Sequence, residues 1–191
     1  NPRLVYCSIT GFGQDGPYRE RAGYDYAVQG IGGLMSVTGE RDDLGGGPQK
    51  VGVAVADLFT GLYATVSILA ALRHAERTGE GQRIDMAMLD VAMILMSSHL
   101  TGYLRNGVQP KPNGNLNPHA TNSAYQTKDG LVMLGASNLR QQRRLWTVLG
   151  RPDMIKRSND ERDADRDEPE HRLYRKLERL TIDQDSAAAI G

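Results

Sequence analysis

The sequence predicts an α/β fold, because segments with strand character alternate with segments of helical periodicity along its 191 residues. Residues 3–9 are rich in β-branched and aromatic side chains, and residues 83–88 alternate apolar with polar side chains, as strands do. Between them, apolar residues recur at helical spacing from position 57 to about position 77. The chain is long enough to bury a hydrophobic core.

The other predicted elements follow from the same periodicities. Tyr24 to Val37 has apolar residues on one helical face but also three glycines, which indicates that another backbone or a ligand comes close. The Met-rich segment at 89–104 predicts a core helix. Beyond a proline- and asparagine-rich boundary, we expect a hairpin at 124–135, a helix at 138–149, a solvated charged segment at 153–170 and a helix at 170–180.

The composition favours neither nucleic acid nor a membrane as a partner. Apolar residues make up 39% of the chain, and 23 basic residues balance 23 acidic ones, so no net field attracts an anionic surface. We also expect no membrane span, because a span needs roughly 20 apolar residues and we expect no stretch to approach that length.

The single cysteine and the histidines bear on the compartment and on metals. Cys7 has no second cysteine for an internal disulfide, which favours a reducing compartment. The four histidines are scattered and show no metal-ligand spacing. We therefore expect a cytoplasmic protein without a metal site, or a protein of the mitochondrial matrix or peroxisome in a eukaryote.

The stretch around Asp57 is the strongest candidate for chemistry. Residues 51–56 are small and apolar, so we expect Asp57 to enter its helix from a buried approach. On the Asp57 side of the helix, Gly61, Ala64 and Ala71 leave open space or admit close backbone packing. The alternative interpretation is that Asp57 is only a helix cap, which is the usual role of an aspartate at a helix start.

Three glycines after the first predicted strand match a nucleotide-binding pattern. Gly11, Gly13 and Gly16 have the G-x-G-x-x-G spacing of a dinucleotide loop. In such a loop a helix begins at the third glycine and binds the pyrophosphate through its N–H groups. Pro17 and a charged segment follow here instead, which argues against a nicotinamide or flavin site.

Taken together, four ordered motifs resemble the family III CoA-transferases, the group that includes formyl-CoA and carnitine CoA-transferases. The motifs are YCSITGFGQDGPY at 6–18, AGYD at 22–25, VGVAVADLFTG at 51–61 and TGEGQRID at 78–85. The resemblance continues through YQTKDG at 125–130 and covers about the first 155 residues.

The resemblance implies a longer protein, of which this chain is an internal part. Relatives form an interlocked homodimer with a Rossmann-like large domain and a smaller α/β domain. By the motifs, residues 1–107 would be part of the large CoA-binding catalytic domain, 108–123 a linker and 124–191 part of the small domain. The CoA-binding segment and the return to the large domain would lie outside this chain.

The resemblance also implies the site residues. Asp57 aligns with the family's nucleophile, which forms an aspartyl anhydride and then an aspartyl-CoA thioester. The loop containing Thr10, Phe12 and Gln14 borders the active site in relatives, so these residues are candidate contacts for the substrate. The alternative interpretation is a tight turn in which the glycines serve only the backbone conformation. The glycine-rich lid of relatives corresponds to 113–117, where Asn113, Gly114 and Asn115 are candidate contacts and only one glycine is present.

The expected substrates are an acyl-CoA donor and a carboxylic acid, with CoA bound as a thioester substrate and no tightly bound cofactor. The resemblance is closest to the branch that uses succinyl-CoA with dicarboxylate acceptors. One alternative is an α-methylacyl-CoA racemase, but racemases carry a histidine where this chain has Tyr24, a much weaker acid near pH 7. A non-catalytic acyl-CoA-binding or dimerisation module is the other.

Overall fold

The computed structural model describes residues 1–117, 121–164 and 172–185. The chain forms two compact units, Asn1–Gly114 and Asn115–Gly191. Both units combine strands with helices, so the fold class is α/β. The division between the units lies within the predicted linker at 108–123.

The first unit is built on two parallel strands joined by a long helix. Its elements are β1 (Tyr6–Thr10), α1 (Asp25–Ile31), α2 (Val55–Thr78), β2 (Arg83–Ala87), α3 (Met88–Leu95) and α4 (Ser97–Asn106). The strands pair in register from Tyr6 opposite Arg83 to Thr10 opposite Ala87. Parallel strands need a crossover, and α2 supplies it while packing against α1, α3 and both strands.

The helix α2 buries its small residues and not its large ones. The buried positions on α2 are Ala56, Thr60, Ala64, Ala71 and Ala75. The residues whose periodicity predicted the helix are between 45% and 63% exposed; these are Leu58, Leu62, Val66, Leu69 and Leu72, which we call the leucine stripe. Small side chains let α2 lie close to the strands and to its neighbouring helices, which leaves the leucine stripe facing outwards.

The length and apolar composition of α2 contradict one statement about membrane spans. Val55–Thr78 is long and apolar enough to cross a membrane by length and composition alone, so the statement that no stretch approaches a span is wrong. Length and composition alone do not assign α2 to a membrane, because helices of soluble proteins and signal sequences meet the same criterion.

Two predicted helices are interrupted in the structure. The helix predicted from Tyr24 ends at Ile31 because Gly33 adopts a left-handed conformation with φ of 82°, and a 3-10 turn follows at Leu34–Val37. The helix predicted at 89–104 is divided into α3 and α4 at Met96, whose backbone (φ −88°, ψ 4°) leaves the α-helical region.

The Met-rich stripe on these two helices is only partly core. Met96 is buried, but Met93 and Tyr103 are nearly half exposed. They line a cavity of about 430 Å³ in the first unit, together with Leu89 and Leu100. The core of this region is formed instead by Val28, Ala56, Met88 and Ala92.

The second unit contains the predicted hairpin and two predicted helices, α5 (Leu139–Val148) and α7 (Arg172–Ile182), and also a short helix, α6 (Asn159–Ala164), inside the segment predicted only as charged and solvated. The strands of the hairpin are β3 (Ala124–Thr127) and β4 (Gly130–Met133). The strands β3 and β4 are antiparallel, and Asn138 and Gln141 form a capping box at the start of α5. The core of this unit contains Tyr125, Val132, Trp146 and Leu177. Residues 165–171, in the charged segment and at the start of the last predicted helix, lie outside the described residues.

Candidate active site at the start of helix α2

Asp57 is the third residue of α2 and its side chain is exposed. The residues that lead into the helix are exposed as well, because α2 turns its small-residue face inwards and leaves Gly52 to Ala54 on the outside. The expected buried approach to Asp57 is therefore wrong for this chain. Gly61, one turn further on, meets open space, whereas Ala64 and Ala71 are packed.

The cap of α2 comes from another helix. The N-cap residue Ala54 offers no side-chain hydrogen bond. Instead, Oδ1 of Asp25, the first residue of α1, accepts from the backbone N–H of Ala56 at 2.8 Å and of Asp57 at 3.4 Å. Within the described residues, the Asp57 carboxylate makes no hydrogen bond. Asp57 therefore does not cap its own helix, and its oxygens are available for chemistry.

The glycine loop after β1 lies beside this helix start. Phe12 packs against the core cluster that includes Ala56, the neighbour of Asp57. Gly11 contacts Gly23 so closely that a Cβ on Gly11 would overlap the Gly23 Cα. This backbone crossing brings the loop against the segment that contains Asp25. No helix follows Gly16, since the next helix begins at Asp25, so the dinucleotide interpretation finds no support.

Thr10 and Gln14, two of the candidate binding residues, form hydrogen bonds that hold this loop in place. The Thr10 hydroxyl accepts from the Gly13 backbone N–H at 2.9 Å. The exposed Gln14 donates from Nε2 to Ser8 Oγ at 2.5 Å, and its backbone N–H donates to Asp85 Oδ2 at 3.3 Å. The side chains therefore fix the loop between the two strands, while Phe12 faces the core cluster at the start of α2.

The predicted lid segment begins at the end of the first unit. Gly114 has a positive φ of 58°, and its N–H donates to the Gly39 carbonyl at 2.8 Å. A Cβ there would meet the end of the Glu40 side chain, which is flexible and can move aside, so the glycine is favoured by its positive φ. The Asn115 carbonyl accepts from Ala124 N–H in the second unit. These bonds do not include Asp57.

The sequence does not predict two residues behind the start of α2: Asp25, which accepts from the Asp57 N–H, and Gln29, which bonds to Asp25. Asp25 belongs to the AGYD motif, whereas Gln29 lies in none of the motifs. Gln29 is fully buried and donates to Asp25 Oδ2 at 2.6 Å. The i, i+4 spacing of the two on a helix is a signal for their contact with each other. Nothing in the sequence indicates that Asp25 reaches α2 or that Gln29 reaches Val51, which precedes that helix.

Comparison with known proteins decides the family. The sequence model of CoA-transferase family III matches residues 1–190. This chain belongs to CoA-transferase family III. It is 53% identical to succinate–glutarate CoA-transferase of Agrobacterium fabrum over 153 residues, which cover 78% of this chain and 37% of that enzyme. It is 38% identical to human succinyl-CoA:glutarate CoA-transferase over 161 residues, which cover 82% of this chain and 35% of that enzyme.

The structures of family III proteins agree with this assignment. A crystal structure of a CaiB/BaiF family protein from Brucella suis superposes with a TM-score of 0.78 at 41% identity. That match covers all of this chain and 50% of the Brucella protein. This chain thus spans about half the length of that solved relative and little more than a third of the length of the two curated relatives.

Proposed function

We propose that the complete protein transfers CoA from succinyl-CoA to glutarate or a related carboxylic acid, with Asp57 as the covalent nucleophile. The observation that carries the mechanism is the exposed Asp57 carboxylate, which is free of hydrogen bonds within the described residues because Asp25 caps α2 in its place. The relatives named for succinate, succinyl-CoA and glutarate support the substrates.

The reaction proceeds through two anhydrides and one thioester at Asp57. An Asp57 oxygen attacks the thioester carbon of succinyl-CoA, the C–S bond breaks, and CoA thiolate leaves. The thiolate then attacks the Asp57 carboxyl carbon of the mixed anhydride, which releases succinate and leaves an aspartyl-CoA thioester. Covalent intermediates at Asp57 divide one difficult step, the direct transfer of CoA from one carboxylic acid to the other, into easier steps.

The second half of the reaction reverses these steps with the acceptor. A carboxylate oxygen of glutarate attacks the Asp57 carboxyl carbon, and CoA thiolate leaves again. The thiolate attacks the glutaryl carbon of the new anhydride, which gives glutaryl-CoA and restores the Asp57 carboxylate. No proton or electron is gained or lost overall, so the site needs orientation and exclusion of water more than an acid or a base.

The remaining binding residues and partners extend this proposal. We assign Phe12 to the thioester end of the substrate, with Thr10 and Gln14 holding its loop, and Asn113 to Asn115 to a lid. CoA takes part as a substrate and not as a bound cofactor. We also propose an interlocked homodimer, in which a second copy can cover the exposed leucine stripe, and a reducing compartment such as the cytoplasm, which the unpaired Cys7 suits.

Transfer is favoured over racemisation at this site. A racemase needs two groups that exchange protons with the carbon next to the thioester. Tyr24, where racemases carry histidine, has a phenol in place of an imidazole and is 66% exposed. Asp57 therefore has no imidazole partner at that position.

The test replaces Asp57 in the complete protein. Asp57→Asn keeps nearly the same volume and leaves the cap from Asp25 in place, but an amide cannot form an exchangeable anhydride, so we expect a folded protein whose turnover falls by about 10⁴-fold or more. Asp90 provides a matched control, because it is also an exposed third residue of a helix. Asp90→Asn is expected to keep turnover near that of the wild type.

Trapping locates the intermediate directly. Hydroxylamine added during turnover should convert the aspartyl thioester to a hydroxamate, and peptide mass spectrometry should find it at Asp57 alone. A panel of dicarboxylic acids of increasing length, with succinyl-CoA as donor, tests the acceptor. Substantial transferase activity in Asp57→Asn, or a hydroxamate at another residue, contradicts the assignment.

A further inference from the structure

Gln29 uses both polar atoms of its buried amide to join two segments. Its Nε2 donates to Asp25 Oδ2 at 2.6 Å, and its Oε1 accepts from the Val51 backbone N–H at 2.9 Å. The side chain is fully buried. Because a buried amide is costly unless it is hydrogen-bonded, these bonds are what make a glutamine fit this position. The amide ties the Asp25 carboxylate to the beginning of the segment that enters α2.

Asp25 is thereby held at both of its oxygens. Oδ2 receives the Gln29 amide, and Oδ1 receives the N–H groups of Ala56 and Asp57. The N–H groups of a first helical turn are the donors that an acidic residue in that turn would otherwise take. Since Asp25 occupies them, the Asp57 carboxylate is not drawn back onto its own helix.

We propose that Gln29 is a positioning residue for Asp57 and acts through Asp25. The proposal rests on the proposed function, in which Asp57 attacks the thioester. Gln29 fixes the direction in which α2 starts, and with it the direction in which the Asp57 oxygens point. A displacement of about 1 Å at a reacting group costs about a hundredfold in rate, so a loss of Gln29 should slow the attack more than it weakens substrate binding.

The experiment measures acylation of Asp57 in single turnovers of the complete protein. Succinyl-CoA is mixed with excess protein, the reaction is quenched, and the Asp57 adduct is followed by mass spectrometry. For Gln29→Leu we expect acylation and kcat to fall by about 10- to 100-fold, as for other residues that orient a reacting group, with KM for succinyl-CoA little changed.

Gln142 offers a matched control for the loss of a buried amide. It is buried in the second unit, and its Nε2 donates to Thr121 Oγ1 at 3.0 Å. Gln142→Leu should lower the melting temperature to an extent similar to that of Gln29→Leu. Its acylation rate per folded protein should remain that of the wild type.

A pair of exchanges tests the hydrogen bond itself. Gln29→Glu keeps an acceptor for the Val51 N–H but sets two carboxylates against each other, so acylation should fall. Adding Asp25→Asn restores a donor opposite the new glutamate and keeps an acceptor for the Ala56 N–H. The double variant should recover most of the acylation rate that Gln29→Glu loses.

Each outcome decides the proposal. Wild-type acylation in folded Gln29→Leu, or an equal loss in Gln142→Leu, overturns it. No recovery in the double variant overturns it too, as does failure of every Gln29 variant to fold while Gln142→Leu folds, because Gln29 would then serve folding alone. If Asp57→Asn stays active, the proposed function fails first, independently of any Gln29 result.

Discussion

Gly11 and Gly23 cross backbone to backbone, and this crossing accounts for one glycine of the loop that resembled a dinucleotide fingerprint. Gly13 and Gly16 are used differently, since both have a φ of 86°, which favours glycine. The three glycines therefore shape a turn that places Phe12 against the core cluster of Val28, Ala56, Met88 and Ala92, and no helix begins at Gly16 to offer N–H groups to a phosphate.

At Gly11 we predict that a single methyl group is costly. In Gly11→Ala the new Cβ would overlap the Gly23 backbone, which has no side chain that could move aside. We expect a loss of about 1–3 kcal/mol in the free energy of unfolding, measured by urea denaturation of the complete protein.

Gly47 is the control for this substitution. It lies in a loop, and a Cβ there would meet nothing within 4 Å. Gly47→Ala should change the free energy of unfolding by no more than about 0.5 kcal/mol. Equal effects at the two positions would show that the Gly11–Gly23 crossing is not needed for the fold.

At the scale of elements, α2 shows what periodicity can and cannot predict. The spacing of its leucines predicted a helix at almost the observed position, because residues on one face recur at 3.6-residue intervals. Periodicity does not say which face is covered, and in this chain the alanine face is buried while the leucine stripe is exposed. The hairpin and α5 were predicted well because their turn and cap are local signals.

In the candidate site, too, the sequence predicts one part and not the other. Asp57 could be found from its neighbours in sequence. Its contact with Asp25 could not be predicted, because Asp25 lies 32 residues away along the chain and reaches Asp57 only once α1 packs against α2. The breaks at Gly33 and Met96 were missed because the apolar spacing continues across them.

We predict that the leucine stripe is covered in the complete protein. If so, Leu69→Ala removes buried methyl groups and should cost about 2–4 kcal/mol of unfolding free energy. Arg73, one turn further along α2, is a control, because its ion pair with Glu76 is exposed and should be worth about 0.3–0.5 kcal/mol. Urea denaturation of both variants measures the difference. A cost for Leu69→Ala as small as that for Arg73→Ala would mean that the stripe faces solvent.

At the scale of the whole molecule, the first unit exposes two apolar surfaces. The leucine stripe runs along one side of α2, and a second apolar surface, the cavity lined by Met93 and Met96, lies on α3 and α4. The solved relative is about twice as long as this chain, and we propose that further polypeptide, a second copy or both cover these surfaces in the complete protein. A large buried apolar interface is typical of obligate homodimers.

The last prediction concerns how two such copies are joined. If the chains thread through each other, the subunits cannot separate without extensive unfolding, so tagged and untagged complete proteins mixed under native conditions should form no mixed dimer over days. After joint denaturation and refolding, mixed dimers should appear in the statistical ratio, because the chains then assemble together. Sedimentation velocity at decreasing concentration supplies the control, since an interlocked dimer keeps its sedimentation coefficient down to the lowest concentration measured. Rapid exchange of native subunits would show an ordinary side-by-side dimer, and a stable folded monomer would show that neither the leucine stripe nor the cavity is a dimer interface.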